Sequence, residues 1–265
     1  MPKYQAITKT EFANLRWKRY ENYQFAAWDA VAPLVAQELP KACMTLPIAF
    51  IRQGESFVPA ALQGLQPGQN LFVLPDGRWI GPYTPATYRG YPFKLANTEN
   101  GQVVLCVDTD SGLVGEDQTE SFFDQQGEPG ESVKAVFHFL QQVRTNRAGT
   151  ERICAALQAE GLIQSWPLTL KSAQGEKTVQ GLYRIDEGKL NSLSSEALQR
   201  LQQAGSLAVA YCQLLSMQHL QMLGKLAEAH TSAKARSQQA LTTSPNGELD
   251  LEFLNNGGTF SFGSH

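Results

Sequence analysis

Between residues 47 and 107, short apolar runs alternate with turn-forming residues, and this alternation constrains the fold more than any other feature of the sequence. The runs are rich in Val, Ile and Phe, and Gly, Pro or Asp stand in the breaks between them. Such runs and breaks are typical of antiparallel strands joined by tight turns. The pattern predicts a meander of about six consecutive strands, at 47–51, 57–65, 70–74, 78–80, 91–95 and 102–107. A sheet with one face to cover requires helices packed on that face.

The residues before the meander predict less regular structure. Residues 8–24 carry aromatic residues at near-helical intervals, which is consistent with either a short helix or an irregular arm. The apolar stretch from Ala26 to Val35 predicts a helix that ends at Pro40, because proline interrupts a helix.

The second half of the chain is predicted to be mainly helical. Apolar residues at 133, 136, 137 and 140 indicate a helix over 132–144. Thr150 is expected to cap a second helix that ends at Gly161. Two short strands are predicted at 162–170 and 179–185.

Two further helices are predicted in this half. One begins at Ser194–Glu196 with a serine cap. The other runs from Gly205 to about His230, and its predicted apolar side comprises Leu207, Tyr211, Leu214, Leu215 and Met222.

The C-terminal residues combine linker composition with a strand pattern. Residues 231–247 are rich in small and polar residues, as linkers are. Residues 249–254 and 259–262 alternate apolar and polar side chains around an Asn-Asn-Gly-Gly turn, which predicts a docked β-hairpin.

These patterns together predict an α+β fold, with an antiparallel N-terminal sheet meander packed by helices. We expect a sheet module over residues 1–131, a helical module with short strands over 132–230, and a linker with the docked C-terminal hairpin over 231–265. The alternative is one continuous domain. A chain of 265 residues is long enough for either arrangement.

Composition excludes several classes of function. A net charge of −3 argues against nucleic-acid binding, because that function requires clustered Lys and Arg. No apolar stretch approaches the ~20 residues of a membrane span, and no signal peptide is visible, so we expect a cytoplasmic protein without membrane insertion. The four cysteines, at 43, 106, 154 and 212, are too widely spaced for paired zinc or redox motifs. They are expected to be buried thiols in a reducing compartment.

Several segments resemble those of the SapC family of bacterial proteins. They occur in order from about residue 25 to 262, and the segments are Pro33–Glu38, Leu62–Phe72, Tyr88–Phe93, Leu105–Gly112, Phe122–Gly127, Gly181–Leu190, Gly205–Ser216 and Leu249–Leu254. The resemblance implies an association with bacterial surface layers, or with flavin-dependent halogenase-like enzymes. It implies no reaction and no catalytic residues. A transporter permease shares the name, but this chain lacks the spans that a permease requires.

A group of aromatic residues around one arginine is the strongest candidate for a binding site. It lies in a proline-rich stretch, whose backbone is stiffened by residues 82, 85 and 92. Arginine among rigid aromatic rings can bind a carboxylate or phosphate, or form a protein interaction hot spot. The alternative is that the rings cover the sheet while the arginine neutralises an acid such as Asp108. The candidate residues are Trp79, Tyr83, Tyr88, Arg89, Tyr91 and Phe93.

Asp108 and Asp110 follow a predicted strand and are a weaker candidate for a metal site. An Asp-x-Asp pair after a strand can hold Mg²⁺ for phosphoryl chemistry. That chemistry belongs to parallel sheets, whereas the preceding residues predict an antiparallel one. We therefore expect both carboxylates to organise the acidic connector over residues 108–131.

The sequence therefore predicts a non-catalytic binding or adaptor protein without a cofactor. No nucleophile elbow, metalloprotease, phosphate-loop or dinucleotide motif is present. The expected ligand is a partner protein or a small acidic molecule, held by the arginine and aromatic residues and by the acidic connector. The alternatives are an Mg²⁺-dependent enzyme that uses Asp108 and Asp110, or an accessory subunit of a flavin-dependent halogenase-like system.

Overall fold

The computed structural model of the protein describes residues 2–172 and 175–240. Within these residues all strand pairs are antiparallel and the second half is mainly helical. The predicted α+β class is therefore confirmed. The predicted C-terminal hairpin at 249–262 lies outside the described residues.

Short strands make up the N-terminal half and recur after the long helix. In chain order they are β1 Tyr4–Ala6, β2 Arg16–Trp17, β3 Val31–Pro33, β4 Ile48–Gln53, β5 Ser56–Leu62, β6 Phe93–Asn97, β7 Val103–Asp108, β8 Val114–Gly115, β9 Glu120–Ser121, β10 Ile163–Ser165, β11 Leu168–Ser172, β12 Gly175–Val179 and β13 Leu182–Ile185.

The helices are short before residue 131 and longer after it. The α-helices are α1 Lys9–Phe12, α2 Leu39–Ala42, α3 Ala86–Arg89, α4 Glu131–Ala159, α5 Glu187–Asn191, α6 Ser195–Gln203, α7 Ser206–Ser216 and α8 Leu220–Ala240. Single 3₁₀ turns lie at Gln24–Ala26, Ala36–Glu38, Thr109–Ser111 and Met217–His219.

The strands of the predicted meander belong to different sheets. The hairpin β4–β5 lies inside a five-stranded sheet of order β10-β13-β4-β5-β3, whereas β6 and β7 join β1 in a second sheet of order β1-β7-β6. Both faces of β4 and β5 are largely buried. At its two edges the hairpin pairs with β13 and with β3, and not with β6, the next strand along the chain.

Residues 70–80 were predicted as two strands, and this prediction was wrong. The two runs share only one isolated bridge, between Val73 and Trp79. The buried side chain of Asn70 takes the backbone groups that a strand would use: its Nδ2 donates to Ala26 O at 3.0 Å, and its Oδ1 accepts from Phe72 N at 3.0 Å. A side chain that bonds neighbouring backbone groups competes with strand pairing.

The predicted helix over residues 26–35 was also wrong. That stretch contains β3, which pairs with β5, and it is followed by a 3₁₀ turn at Ala36–Glu38. Pro40 lies in the first turn of α2 instead of ending a helix. This is a position where proline is tolerated, because the first helical N–H groups have no partner within the helix.

The two helices predicted over 132–144 and 150–161 are one helix, α4. The helix continues through Gly149, because a single interior glycine costs only about 1 kcal/mol. Thr150 does not cap a helix: its hydroxyl donates to Asn146 O at 2.7 Å and accepts from Ala36 N at 2.8 Å. Gly161 follows the helix end with a φ of +63°, as predicted for a left-handed C-terminal residue.

The long C-terminal helix is interrupted, and its buried side differs from the predicted one. A 3₁₀ turn at Met217–His219 separates α7 from α8. Tyr211 and Leu215, predicted on the apolar side, are 49% and 63% exposed. The buried positions of α7 are Ser206, Val209, Ala210, Gln213 and Ser216. The serine cap predicted for the preceding helix is confirmed, since Ser194 Oγ accepts from Ala197 N at 3.3 Å.

Two apolar cores support the sheets, and α4 contributes to both of them. The larger core packs the five-stranded sheet against α2, α4, α6 and α7. The smaller core comprises Phe12, Trp17, Phe93, Leu105, Val107, Phe122 and Val133. Val133 lies near the start of α4, whereas Cys154 and Leu157 near its end belong to the larger core.

Candidate functional site

The structure places the predicted aromatic residues mostly inside the protein. Tyr88 and Phe93 are only 4% and 5% exposed, while Trp79, Tyr83 and Tyr91 are half-buried. The stretch 88–93 therefore does not present an exposed apolar patch. Phe93 begins β6 and packs edge-on against Trp17 in the smaller core, with ring centroids 4.6 Å apart. Phe93 therefore packs in the smaller core and is not available to a ligand.

Arg89 lies at the end of α3 and pairs with Glu38 instead of Asp108. Its Nη2 lies 3.7 Å from Glu38 Oε1 and 3.4 Å from the Tyr83 hydroxyl. The guanidinium also lies over the Phe139 ring, 5.3 Å from its centroid. The Arg89 side chain is 45% exposed, so one side of it remains accessible to solvent.

Glu38 is the residue at this site that the sequence reasoning missed. It is 6% exposed, and its Oε1 accepts hydrogen bonds from Tyr83 Oη at 2.8 Å and Ala86 N at 2.6 Å. Its Oε2 accepts from Val35 N at 3.0 Å. A buried carboxylate needs partners that replace its lost water, and these three hydrogen bonds are all shorter than the contact with Arg89. Burial, followed by the charge of Glu38, raises the pKa of the Tyr83 hydroxyl above its ordinary value.

Contacting rings form a cluster around Tyr88 and Tyr91, which we call the aromatic cluster. Phe25 stacks on Tyr91, with centroids 3.8 Å apart and planes at 8°. Trp79 lies 5.9 Å from Tyr88 and 5.4 Å from Tyr23. The cluster comprises Tyr20, Tyr23, Phe25, Phe72, Trp79, Tyr88 and Tyr91. Tyr20 and Tyr23 come from the predicted arm over residues 8–24, and Phe25 follows it directly. The aromatic spacing of the arm was visible in the sequence, but the partners of these rings were not.

A cleft of about 380 Å³ opens beside this cluster, and we call it the aromatic cleft. Of the predicted site residues, Tyr91 lines it. Lys18 and Glu21, which pair at 3.6 Å, also line it. The full lining is Lys18, Tyr20, Glu21, Asn22, Gln24, Phe25, Tyr91, Ser111 and Leu113. The cleft therefore combines aromatic faces with polar side chains, a cation and a carboxylate.

The electrostatic surroundings of Tyr20 show which charges act on the cleft. Burial, followed by the neighbouring Tyr23, raises the pKa of the Tyr20 hydroxyl to about 12. Arg89 and Arg19 act in the opposite direction and lower that pKa. Both guanidinium groups therefore favour negative charge at the Tyr20 hydroxyl. Asp108 acts in the opposite direction at Tyr91, where burial, followed by the charge of Asp108, raises the pKa of the hydroxyl.

Asp108 and Asp110 do not lie together in a pocket with Arg89. Asp108 is 4% exposed, and its Oδ1 accepts from Lys3 N at 2.8 Å and from Asp110 N at 3.2 Å. It caps the 3₁₀ turn at Thr109–Ser111. Asp110 is exposed, and neither carboxylate lines the aromatic cleft. Asp108 therefore organises the start of the connector, whereas the described residues show no hydrogen bond to the Asp110 carboxylate.

The cysteine thiols are disfavoured as nucleophiles by their surroundings. Cys43, Cys106 and Cys154 are buried, and Cys212 is half-buried. Burial raises the pKa of the Cys154 thiol to about 12. Burial, followed by the contact with Cys43, raises the pKa of the Cys212 thiol to about 11. Since the thiolate is the reactive form, these groups are unsuited to attack at neutral pH.

We expect the native thiols to react slowly with Ellman's reagent at pH 8, because burial raises the pKa of the Cys106, Cys154 and Cys212 thiols and restricts access to Cys43. The same protein in guanidinium chloride should release the full four equivalents of chromophore in the fast phase, since the chain holds four cysteines. A stopped-flow absorbance trace of each sample measures the two rates. A native cysteine that reacts as fast as in the unfolded chain would contradict this account.

No helix in the part of the chain that the structure describes has the length and apolarity needed to cross a bilayer.

No curated protein and no solved structure matches the chain. The family model described as SapC matches residues 7–223. This range includes β2 to β13, the aromatic cleft and Glu38, so the match covers the whole site. The chain belongs to the SapC family.

Proposed function

We propose that the protein is a non-catalytic binding protein of the cytoplasm that holds a small acidic ligand, or an acidic group of a partner protein, in the aromatic cleft. The observation that supports this proposal most directly is the position of Tyr91. It lines the cleft together with Lys18 and stacks on Phe25, which lines the cleft as well.

The cleft offers a cation to an acidic ligand, and that cation is Lys18. Lys18 lines the cleft, and the charges of Arg19 and Arg89 reach the Tyr20 hydroxyl in its wall. Glu21 is the carboxylate among the lining residues; its side chain is 79% exposed, and it pairs with Lys18. Two further carboxylates act nearby, since Glu38 pairs with Arg89 and the charge of Asp108 reaches the Tyr91 hydroxyl. Lys18, whose partner Glu21 is exposed and therefore weakly held, is the cation that an acidic ligand would contact.

The walls of the cleft favour a flat or apolar body beside the acidic group. Aromatic rings that are already packed lose little side-chain freedom when a ligand binds. The ring of Tyr91 is held by Phe25, and Tyr20 contacts Phe25 with centroids 5.1 Å apart. The ligand class with the best fit is therefore an aromatic or apolar carboxylate or phosphate.

A matched pair of probes tests this proposal. We expect 2-naphthoate to bind about tenfold more tightly than neutral 2-naphthamide, a difference equivalent to about 1.4 kcal/mol. Isothermal titration calorimetry at low salt measures both dissociation constants. Tyr91→Ala should weaken both probes, and Lys18→Ala should weaken only the naphthoate.

Arg52→Ala is the control, because Arg52 lies at the β4–β5 hairpin, pairs with Glu55 and does not line the cleft. It should leave both dissociation constants unchanged. Equal affinity of the wild-type protein for the acid and the amide, or no effect of Lys18→Ala, would refute anion binding in this cleft. Native mass spectrometry of the freshly purified protein would then identify what it does retain.

A further inference from the structure

A second concave surface lies at the smaller core, away from the residues of the aromatic cleft. It is an apolar groove of about 200 Å³ between β1, β7, the acidic connector and the first turns of α4. We call it the apolar groove. Its lining is Ile7, Leu105, Phe123, Pro129, Val133, Lys134 and Phe137. Six of these seven side chains are apolar, and the groove is large enough for one bulky side chain.

One wall of the groove is a turn whose shape is fixed by hydrogen bonds. Phe123 faces Pro129 in an isolated bridge. Asp124 N donates to Glu128 O at 2.8 Å, and Asp124 Oδ1 accepts from Gln126 N at 3.0 Å and Glu128 N at 2.8 Å. An Asp side chain that bonds the backbone of its own turn stabilises that turn. The wall is therefore formed before any ligand arrives, which lowers the entropy cost of binding.

Three carboxylates lie next to lining residues on one side of this groove: Asp124 follows Phe123, Glu128 precedes Pro129, and Glu131 pairs with Lys134. A hydrogen bond to Glu131, followed by the charges of Glu131, Asp124 and Glu128, raises the pKa of Lys134, which lines the groove. All three carboxylates therefore lie within electrostatic reach of the groove. Glu131 and Glu128 have side chains that are 90% and 66% exposed, so they remain open to a partner.

Two lysines compensate only part of this charge. Lys134 Nζ lies 2.8 Å from Glu131 Oε1, and Lys9 Nζ lies 3.6 Å from Glu128 Oε1. Exposed pairs of this kind are weak and exchange partners readily. Asp124 has no such lysine among the ion pairs of the described residues. The rim is therefore net negative around an apolar floor.

We propose that the apolar groove is an interaction surface for a basic peptide segment, which inserts one bulky apolar side chain into the groove between flanking lysines or arginines. The apolar floor supplies the contact that anchors such a side chain. The carboxylates on the rim select basic flanking residues and repel acidic ones. This surface is independent of the aromatic cleft, whose ligand is acidic.

The probe is a fluorescein-labelled peptide in which one leucine is flanked by lysines on both sides. Two matched peptides replace the leucine with serine or the lysines with glutamates. Fluorescence anisotropy at low salt should give roughly tenfold tighter binding for the leucine peptide than for the serine peptide. The glutamate peptide should not bind.

Two sets of variants separate charge from shape. Glu128→Gln combined with Glu131→Gln should weaken the leucine peptide roughly tenfold. Glu55→Gln combined with Glu99→Gln removes the same charge from two exposed turns elsewhere and should change little. Ile7→Trp, which fills the groove, should abolish the preference for leucine over serine. Thermal melting confirms that each variant is folded.

Three results would overturn this proposal. Equal binding of the leucine and serine peptides would mean that only charge attracts the probe. Unchanged binding in the Glu128→Gln and Glu131→Gln variant would mean that the rim does not select the partner. Sedimentation velocity that shows a dimer, lost in Ile7→Trp, would identify a second copy of the chain as the occupant. None of these variants changes a residue of the aromatic cleft, so the naphthoate titration remains a separate test.

Discussion

Replacing Glu38 by alanine is expected to lower the free energy of unfolding by about 3–5 kcal/mol, because two buried backbone N–H groups lose their acceptor. These groups are Val35 N and Ala86 N, which donate to Glu38 at 3.0 Å and 2.6 Å. Tyr83 and Arg89 also lose their partner. For a chain of this size the loss corresponds to a decrease in melting temperature of roughly 10 °C.

Arg89→Ala is the matched control for this prediction. The Arg89 side chain is 45% exposed and lies 3.7 Å from Glu38, so its removal leaves three closer donors on the carboxylate. We expect a loss of about 1 kcal/mol, as for other half-exposed ion pairs. Equilibrium unfolding in urea measures both variants. Equal losses for Glu38→Ala and Arg89→Ala would mean that the ion pair, and not the backbone bonds, stabilises the segment 83–91.

Gln213→Leu is expected to cost about 2–6 kcal/mol, since each of two buried backbone groups left without a partner costs about 1–3 kcal/mol. The Gln213 side chain is fully buried; its Oε1 accepts from Ile185 N at 2.9 Å and its Nε2 donates to Ile48 O at 3.1 Å. The pairing of β13 with β4 stops after Tyr183 and Phe50. Ile185 would face Ile48 if that register continued, so the glutamine amide replaces a missing bond of the sheet.

Urea unfolding at constant ionic strength measures this loss, and Gln221→Leu is the control. Gln221 lies on α8 and is exposed, so its replacement should change the free energy of unfolding by less than about 0.5 kcal/mol. If Gln213→Leu were as stable as the wild type, water or a shift of β13 would have to satisfy Ile185 N and Ile48 O.

The sequence predicted element types where the deciding contacts are local. The strands at 48–53 and 56–62, the cap at Ser194 and the left-handed Gly161 all depend on residues a few positions apart. The choice of neighbouring strands was not predictable, because β4 pairs with β13 across more than a hundred residues. Period-two patterns show that a strand has a buried face, but not which strand lies beside it.

The same distinction explains the candidate site. The aromatic character of residues 79–93 was visible in the sequence, but burial assigned Tyr88 and Phe93 to packing roles. Tyr91 lines a cleft because Lys18 and Phe25, which precede it by more than sixty residues, lie beside it in the fold. Glu38 gave no signal, since a carboxylate beside Leu39 and Pro40 resembles an ordinary helix start. The contacts that define this site join residues far apart in the chain, so local sequence patterns do not reveal them.

Helix α4 contributes buried side chains to both cores, so the stability of each core depends on the same helix. Its first turns bury Val133 beside Phe122, and its last turns bury Cys154 and Leu157 beneath the five-stranded sheet. The helix spans about 44 Å at 1.5 Å per residue, and about two-thirds of the way along it the hydroxyl of Thr150 accepts a hydrogen bond from Ala36 N. Both cores should therefore unfold in one cooperative thermal transition, because each of them loses packing contacts when α4 unfolds.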